Sequence, residues 1–222
     1  MDKVIIAIDG FASTGKSTLA KKLSQHLGLR YVDSGALFRG ITFWVLKNGW
    51  VSDDNLNELA IEKGLYNLNI FFDSVTNILS VNGIDVTEAI RSKEVSAQVS
   101  QIAKLSFVRS FLLNQQRQMS LRAGLVMDGR DIGTVVFPNA DFKFFFTAKP
   151  EVRAQRRLEE MEASGHQANF ADVLKNILDR DRIDSQRKIS PLKKAADAIE
   201  INTSELSLEQ AFDLLIAKIN TK

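Results

Sequence analysis

The stretch GFASTGKST, residues 10–18, comes directly after a short apolar run, VIIAI at residues 4–8, and the acid Asp9. Its pattern of a glycine, four residues and then Gly-Lys-Ser is typical of a loop that wraps around phosphate groups. The run before it is rich in β-branched residues, as in a buried parallel strand. After it, leucines recur every four residues until Gly28, a residue type that ends helices. The stretch therefore predicts a strand, a glycine turn and a helix in that order.

The same alternation of strand and helix recurs along the chain. Further strands are predicted at residues 29–32, 125–128, 142–147 and 198–201. Helices are predicted at residues 36–47, 106–122, 150–164 and 170–186, with a closing helix that begins at the capping box Ser207-x-x-Gln210. Repeated alternation of this kind predicts an α/β fold, in which helices cover both faces of a parallel sheet.

The middle of the chain has a different pattern. Residues 68–72 and 78–81 have the composition of strands, and Asn82-Gly83 is a strong hairpin signal before residues 84–86. A helix is predicted over residues 93–104. We interpret the small antiparallel patch as an insertion into the alternating fold.

Composition limits the classes of function. The chain has 222 residues, a length that suits one domain, and its net charge of +2 gives no overall attraction to nucleic acid or to a membrane surface. It has no cysteine, which excludes disulfides, thiolate metal sites and a cysteine nucleophile, and fits a reducing compartment. The apolar run at residues 4–8 is too short for a signal peptide, and no stretch has the length of a membrane span. We therefore expect a cytoplasmic protein.

The residue types of the loop suit a nucleoside triphosphate. Glycines let backbone amides turn towards phosphate, Lys16 can reach the β and γ phosphates, and the hydroxyl of Ser17 can bind magnesium. Asp128, at the end of a predicted strand, could hold the same ion through water. The alternatives are a glycine turn that caps a helix and an acid that caps the next turn. Segments typical of switch GTPases (Asn-Lys-x-Asp) and of transporter ATPases (Leu-Ser-Gly-Gly-Gln) are absent from the sequence.

Three segments place arginine beside small or acidic residues. They are DSGALFR at residues 33–39, DGRDIGT at residues 128–134 and RDRIDSQR at residues 180–187. The planar guanidinium group donates two parallel hydrogen bonds to phosphate, and the first two segments follow predicted strands, where α/β sheets bind ligands. Any one of these arginines alone could be a solvated surface group. Together they predict a second anion beside the triphosphate, and hence phosphoryl transfer to an acceptor.

The motifs described above resemble those of a known family. IDG-x4-GKST, DSGALFR, DGRDIGTVVFP and RDRIDSQR followed by SPL are similar to the motifs of bacterial cytidylate kinases, which are P-loop nucleoside monophosphate kinases. The resemblance spans nearly the whole chain, and DGRDIGTVVFP is its most specific part. It implies a single kinase domain, 1–222, with a parallel-sheet core at about 1–62, 107–150 and 188–222. It also implies an antiparallel β-containing NMP-binding insertion at about 63–106 and a helical lid at about 151–187.

The resemblance also implies an activity and a set of residues. The activity is magnesium-dependent transfer of the γ-phosphoryl group of ATP to CMP or dCMP. The implied catalytic residues are Lys16, Arg39, Arg130 and Arg187. The implied ATP-binding residues are Gly10, Phe11, Ala12, Ser13, Thr14, Gly15, Lys16, Ser17, Thr18 and Arg157. The implied magnesium ligands are Ser17 and Asp128, the latter through water.

On the acceptor side, the resemblance implies three groups of residues. Around the acceptor phosphate it places Ser34, Arg39, Arg130 and Arg187. Around cytosine it places Ser100, Arg109 and Asp131, and around the sugar Arg180 and Asp184. Cytosine presents an amine that needs an acceptor, which Asp131 can be, and two acceptors that need donors, which Arg109 and Ser100 can be. Ser100 could instead be a solvated serine of an amphipathic helix.

Two positions depart from the family pattern. In the predicted lid, the arginine that contacts the triphosphate is left open. Phe11 replaces the usual proline of the loop, and Ile183 replaces an arginine of some members. Arg153 and Arg157 lie one turn apart on a predicted helix that also carries Arg156, and either of the first two could meet the triphosphate. The alternative for all three is a solvated charged helix. The two histidines, His26 and His166, lie outside every motif.

Two rival functions remain open from the sequence. One is a kinase of another small acceptor on the same fold, such as UMP, AMP or a non-nucleotide. The other is a nucleotide-binding regulatory module without transfer activity. In each case we expect small-molecule nucleotides as partners, no nucleic acid or membrane partner, and a monomer.

Overall fold

The computed structural model describes residues 3–52, 55–73, 76–121, 123–165 and 167–221. The strands are β1 (Ile5–Gly10), β2 (Arg30–Asp33), β3 (Val51–Ser52), β4 (Asn55–Leu56), β5 (Ile70–Phe72), β6 (Leu79–Val81), β7 (Ile84–Asp85), β8 (Leu125–Gly129), β9 (Phe142–Thr147) and β10 (Ile199–Asn202). The α-helices are α1 (Lys16–Leu27), α2 (Ser34–Lys47), α3 (Glu58–Leu65), α4 (Lys93–Ala103), α5 (Ser106–Met119), α6 (Pro150–Ala163), α7 (Phe170–Gln186) and α8 (Leu208–Asn220). A 3₁₀ turn, Ala89–Arg91, and a π-helical turn, Ile132–Val136, complete the set.

A five-stranded parallel sheet lies at the centre, in the order β10-β9-β1-β8-β2. One face packs against α2 and α5 through buried residues such as Leu37, Ile41 and Leu112. The other face packs against α1 and α8 through residues such as Leu23 and Leu215. The predicted α/β fold, with helices on both faces of a parallel sheet, is confirmed.

Strand register brings the functional segments to one edge of the sheet. Asp33 of β2 pairs with Asp128 of β8, and Asp9 of β1 pairs with Gly129 of β8. On the other side of β1, Gly10 pairs with Phe146 of β9. Because all five strands run in the same direction, their carboxyl ends lie at this edge, where open α/β sheets bind ligands.

The antiparallel patch forms as predicted. Strands β5, β6 and β7 make a three-stranded antiparallel sheet, and the turn residues Asn82 and Gly83 both have positive φ, 51° and 79°. Two positive φ angles are what a two-residue type I′ hairpin requires, so the hairpin prediction is confirmed. The sheet packs closely on α2 at Gly40, where an added Cβ would lie 2.8 Å from side-chain atoms of Ile70 and Leu79.

Two parts of the structure differ from the sequence expectation. No element was predicted between residues 48 and 67, where β3, β4 and α3 occur. Those elements are too short to show a clear period, and Asn57 starts α3 by accepting a hydrogen bond from Ala60 N–H. The helix predicted to reach residue 122 ends at Met119, because the chain turns there towards β8.

Helices α6 and α7 pack on each other around a small core of their own, formed by Ala154, Val173 and Ile177. Pro150 occupies the first turn of α6, where its missing N–H costs nothing. The bounds assigned above to the insertion and lid stay predictions. Within the described ranges, the helices are all too short or too polar to traverse a lipid bilayer.

Candidate active site

The phosphate loop depends on glycine at both ends. Gly10 has a φ of 149°, and a Cβ there would lie 2.3 Å from the carbonyl oxygen of Phe146. Gly15 has a φ of 82° and is the N-cap of α1. Residues that have a side chain rarely adopt these φ angles, so only glycine allows the loop to lie against β9 and then enter the helix. The helix N-terminus and its amides thus lie at the loop, an arrangement that favours anions.

Lys16 is buried at the start of α1, and its ammonium group donates to the carbonyl oxygen of Phe11 at 3.2 Å. The hydroxyl of Thr14 donates to the same oxygen at 3.1 Å. Burial, followed by the nearby charge of Arg130, lowers the pKa of Lys16 to about 7. A polyphosphate bound here would offset both effects, because it brings negative charge to a desolvated cation.

The two predicted magnesium ligands contact each other. The hydroxyl of Ser17 donates to Oδ2 of Asp128 at 2.7 Å, and the hydroxyl of Tyr31 donates to Oδ1 of the same carboxylate at 2.8 Å. Oxygen ligands are those that Mg²⁺ prefers, and kinase sites use few of them together with substrate phosphates. Among the described residues no cluster of three or more acidic, histidine or cysteine side chains could hold a metal. The pair therefore fits an ion brought in with a nucleotide.

Sequence reasoning assigned no role to Tyr31, because its contact with Asp128 spans 97 residues and two strands. It also assigned none to Asp9, which is buried and accepts hydrogen bonds from Ile132 N–H and Gly133 N–H, both at 2.7 Å. Burial raises the pKa of Asp9 to about 7, although both amides oppose that shift. The position of Asp9, an acid that ends an apolar strand just before Gly10, is the signal that could have identified it.

The arginines of the three segments come together at the edge of the sheet. Arg39 contacts Asp33 at 2.7 Å, and Arg130 contacts Asp184 at 3.0 Å. Arg187 lies 3.8 Å from Asp184. Burial alone would raise the pKa of Asp184, but Arg130, Arg187 and Arg180 outweigh it and lower the pKa. Convergence of the segments was predicted, and the structure brings them together.

Arg180 carries a buried donor that a ligand could satisfy. Its Nε is buried and has no hydrogen-bond partner among the described residues. Burial and then the charge of Arg130 lower its pKa to about 10, with further repulsion from Arg39 and Arg157. A buried donor without an acceptor costs stability, and so does repulsion between cations, so this group of side chains suits a bound anion.

Two of the predicted cytosine residues, Arg109 and Asp131, form a second cluster. Arg109 is buried, forms a short hydrogen bond with Asp131, and donates to the carbonyl oxygen of Ala103 at 3.0 Å. Its guanidinium carbon lies 5.2 Å from the centre of the Phe38 ring. Its Nε is buried without a partner among the described residues, so one donor is left for a ligand. Arg187 reaches the other oxygen of Asp131 at 3.5 Å.

Two predicted serines are buried. Ser100 of α4 lies one turn before Ala103, on the same helical face, and is only 4% exposed. The alternative of a solvated Ser100 is therefore wrong. Ser34 starts α2 and donates to the carbonyl oxygen of Asp128 at 2.7 Å, which ties β2 to β8. Thr18 of the phosphate loop is exposed on the first turn of α1.

The three arginines of α6 have different surroundings. The Arg153 side chain is 3% exposed and paired with Asp181, and Arg156 donates to the carbonyl oxygen of Thr203 at 2.7 Å. Arg157 is partly exposed, and its ion pair with Glu160 is an exposed i,i+3 contact. A solvated charged helix is thus wrong for Arg153 and Arg156. Thr203 in turn donates to the carbonyl oxygen of Thr14 in the phosphate loop.

Comparison with known proteins identifies the family of the chain. The cytidylate kinase family model matches residues 6–221. The chain belongs to the cytidylate kinase family. It is 47% identical to a cytidylate kinase of Flavobacterium psychrophilum, over 99% of each chain. It is 45% identical to one of Flavobacterium johnsoniae, over 99% of this chain and 97% of that protein.

Family membership confirms the identification made from the motifs. A cytidylate kinase of Bacteroides thetaiotaomicron is 44% identical over 95% of this chain and 93% of that protein. Among solved structures, an uncharacterized protein from Eubacterium ventriosum covers 99% of both chains with a TM-score of 0.54 and 14% identity. That structural likeness supports the fold alone.

Proposed function

We propose that this chain, as a member of the cytidylate kinase family, transfers the γ-phosphoryl group of ATP to CMP and dCMP. The observation that carries the proposal is a pair of buried donors, Nε of Arg109 and Nε of Arg180, that have no hydrogen-bond partner among the described residues. One lies next to Asp131, an acceptor suited to the amine of cytosine, and the other lies among cations suited to an anion. Together they offer a mononucleotide a donor for its base, beside Asp131, and a donor for its sugar, near the Arg130 that we assign to its phosphate.

The reaction needs no nucleophilic side chain. An oxygen of the acceptor phosphate attacks the γ phosphorus, and the bond from that phosphorus to the oxygen of ADP breaks, which leaves CDP or dCDP and ADP. Catalysis is then positioning together with neutralisation of charge. We assign Arg39, Arg130 and Arg187, with Ser34, to the acceptor phosphate, and Arg180 with Asp184 to the sugar. Cytosine is assigned to Ser100, Arg109 and Asp131.

On the donor side, residues 10–18 hold the phosphates of ATP and Lys16 reaches the transferred group. Of the two lid arginines left open by the sequence, we assign Arg157 to ATP. The guanidinium of Arg153 is already bonded to Asp181, to Ala148 and to the phosphate loop, whereas Arg157 has a weak exposed partner. A charged arginine that reaches the transferred group can raise kcat by about a thousandfold or more.

Magnesium would be held by Ser17 and by Asp128, the latter through water. When bound, the ion neutralises phosphate charge. The residues of the chain prepare that site: the hydroxyls of Ser17 and Tyr31 each hold one oxygen of Asp128 and so fix the plane of the carboxylate.

We expect Asp128→Asn to raise the magnesium concentration needed for half-maximal activity by about 10- to 100-fold, because the amide brings less negative charge to the ion. Metal titration of initial rates measures the shift, and calorimetry with Mg-ATP checks it without turnover. The exposed Asp213 of α8 offers a matched control, and Asp213→Asn should leave the titration unchanged. An unchanged titration in Asp128→Asn would remove this residue from the metal site.

The proposed function is tested with a panel of acceptors in an assay coupled to ADP formation. We expect CMP and dCMP to be the best substrates, ahead of UMP, AMP and shikimate, the last as a non-nucleotide acceptor. If CMP and dCMP were the poorest acceptors, the rival kinase would be correct. ATP binding without product from any acceptor would favour the regulatory module. The unpartnered donors beside Asp131 and Arg130 favour the kinase of CMP.

Three further points belong to the proposal. Residues 151–187 close over the bound nucleotides and exclude water, since otherwise ATP would be lost to hydrolysis. Residues 63–106 form the unit that binds the monophosphate. The enzyme acts as a monomer, since the residues assigned to both nucleotides belong to one chain, and it acts in the cytoplasm, a reducing compartment that suits a chain without cysteine.

A further inference from the structure

Phe11, which stands where the family resemblance leads us to expect proline, makes contacts that a proline could not. Its ring lies against that of Phe145 in an edge-to-face arrangement, with centroids 6.1 Å apart. Its backbone N–H donates to the carbonyl oxygen of Phe146 at 3.3 Å, and proline has no N–H to donate. The first half of the phosphate loop is therefore attached to the end of β9 by Phe11 itself.

An arginine of α6 lies over the same ring. The guanidinium carbon of Arg153 lies 5.1 Å from the centre of the Phe11 ring. Its Nη1 lies 3.4 Å from the carbonyl oxygen of Ala12, the next residue of the loop. A cation over an aromatic face is attracted to it, and the attraction is larger when the cation is desolvated, as it is at this buried position.

Arg153 is in turn held by the base of the lid. Its Nε donates to the carbonyl oxygen of Ala148 at 3.0 Å, just after β9 ends. Its two terminal nitrogens donate to the two oxygens of Asp181 in α7, at 3.1 and 2.6 Å. A paired fork of this kind sets the plane of the guanidinium group. One side chain thus joins α6, α7 and the phosphate loop.

We propose that Phe11 is a positioning residue for ATP, which holds the phosphate loop to the base of the lid through Arg153. It contacts neither substrate's reacting atoms and acts through the arginine stacked on it. The contacts lie on the donor side of the site, so the effect falls on ATP and not on the acceptor. The inference rests on the proposed function in one respect, that residues 10–18 bind ATP.

The test compares Phe11→Leu with the native chain, alone and combined with Arg153→Gln. Leucine keeps an apolar side chain and the backbone N–H but has no aromatic face, and glutamine keeps donors for Asp181 but has no charge. We expect Phe11→Leu to weaken binding of a non-hydrolysable ATP analogue by about 3- to 10-fold in calorimetry, and CMP binding by less than about twofold. In the Arg153→Gln background the same change should add almost nothing, because the two residues act through one contact.

Two further variants serve as controls. Phe11→Tyr is the conservative variant: it keeps the aromatic face and should recover most of the analogue binding that Phe11→Leu loses. Phe71→Leu makes the same replacement at an exposed position of β5, in the separate three-stranded sheet, and should leave binding of the ATP analogue unchanged. If Phe11→Leu weakened analogue binding equally with and without Arg153, or weakened CMP binding as much, the proposed link would be wrong.

A second readout needs no catalysis. In Phe11→Leu, amide hydrogen exchange is expected to rise both in residues 11–14 and in the first turns of α6. The reason is that the contact between Phe11 and Arg153 stabilises both segments. Unchanged exchange in α6 would overturn the inference even if ATP binding fell. The acceptor panel tests the proposed function separately. If no CDP forms there but exchange in α6 still rises in Phe11→Leu, the proposed function is wrong and the link between Phe11 and α6 stands.

Discussion

Replacement of Arg130 by alanine is expected to lower kcat for CMP by about a thousandfold while leaving ATP binding nearly intact. Arg130 is assigned to the acceptor phosphate, where charge must be neutralised as the oxygen attacks. It also lowers the pKa of Lys16, so its removal favours the charged form of that lysine and does not weaken the donor site. Steady-state kinetics with ATP and CMP varied separately, together with calorimetry for ATP, measure both parts.

The variant should still fold. Asp184, which loses Arg130, keeps Arg187 3.8 Å away, and a thermal melt checks that the fold persists. Arg182→Ala is the matched control, because Arg182 lies on α7 in an exposed pair with Asp179. That control should retain native kcat, since exposed ion pairs contribute little. An unchanged turnover in Arg130→Ala would remove this arginine from the acceptor site.

Asp131→Asn is expected to lower kcat/KM for CMP by about a hundredfold and to lower the preference for CMP over UMP. The carboxylate can accept from the amine of cytosine, whereas the asparagine amide can turn its NH₂ group to the carbonyl oxygen that uracil has there. The change also weakens the buried pair with Arg109, so both nucleotides should lose some affinity. The ratio of the two kcat/KM values separates selectivity from general damage.

Asp179→Asn, an exposed change of the same chemistry on α7, is the control and should leave the ratio as it is. Melting temperatures of both variants show whether the buried pair is needed for stability. A CMP-to-UMP ratio that stays native in Asp131→Asn, at whatever overall rate, would mean that another group reads the amine of cytosine.

Local features of the chain were sufficient to predict most helices and strands. Helix α7 occupies residues 170–186 as predicted, since a capping residue, Asn169, and an apolar stripe lie within the segment itself. The closing helix begins at its capping box for the same reason. The two-residue strands β3 and β4 have no period to detect, and they were missed.

The candidate site was predicted as a set of residues and not as a set of contacts. The sequence marked Ser17 and Asp128 separately, but their hydrogen bond and the third partner, Tyr31, depend on strands that meet in the sheet. Nor did the sequence reveal the surroundings of the arginines of α6: it could not separate the buried Arg153 from the partly exposed Arg157.

By itself, the sequence determined the phosphate loop, the alternating fold, the family and the identity of the arginines, because these follow from residue types at short spacing. Only the tertiary structure decided which cation faces which carboxylate, which donors are left without a partner, and what Phe11 contacts. Those facts depend on burial and on the register of strands that are distant in the chain. Asp9 illustrates the difference: its two hydrogen bonds join residues more than 120 positions apart.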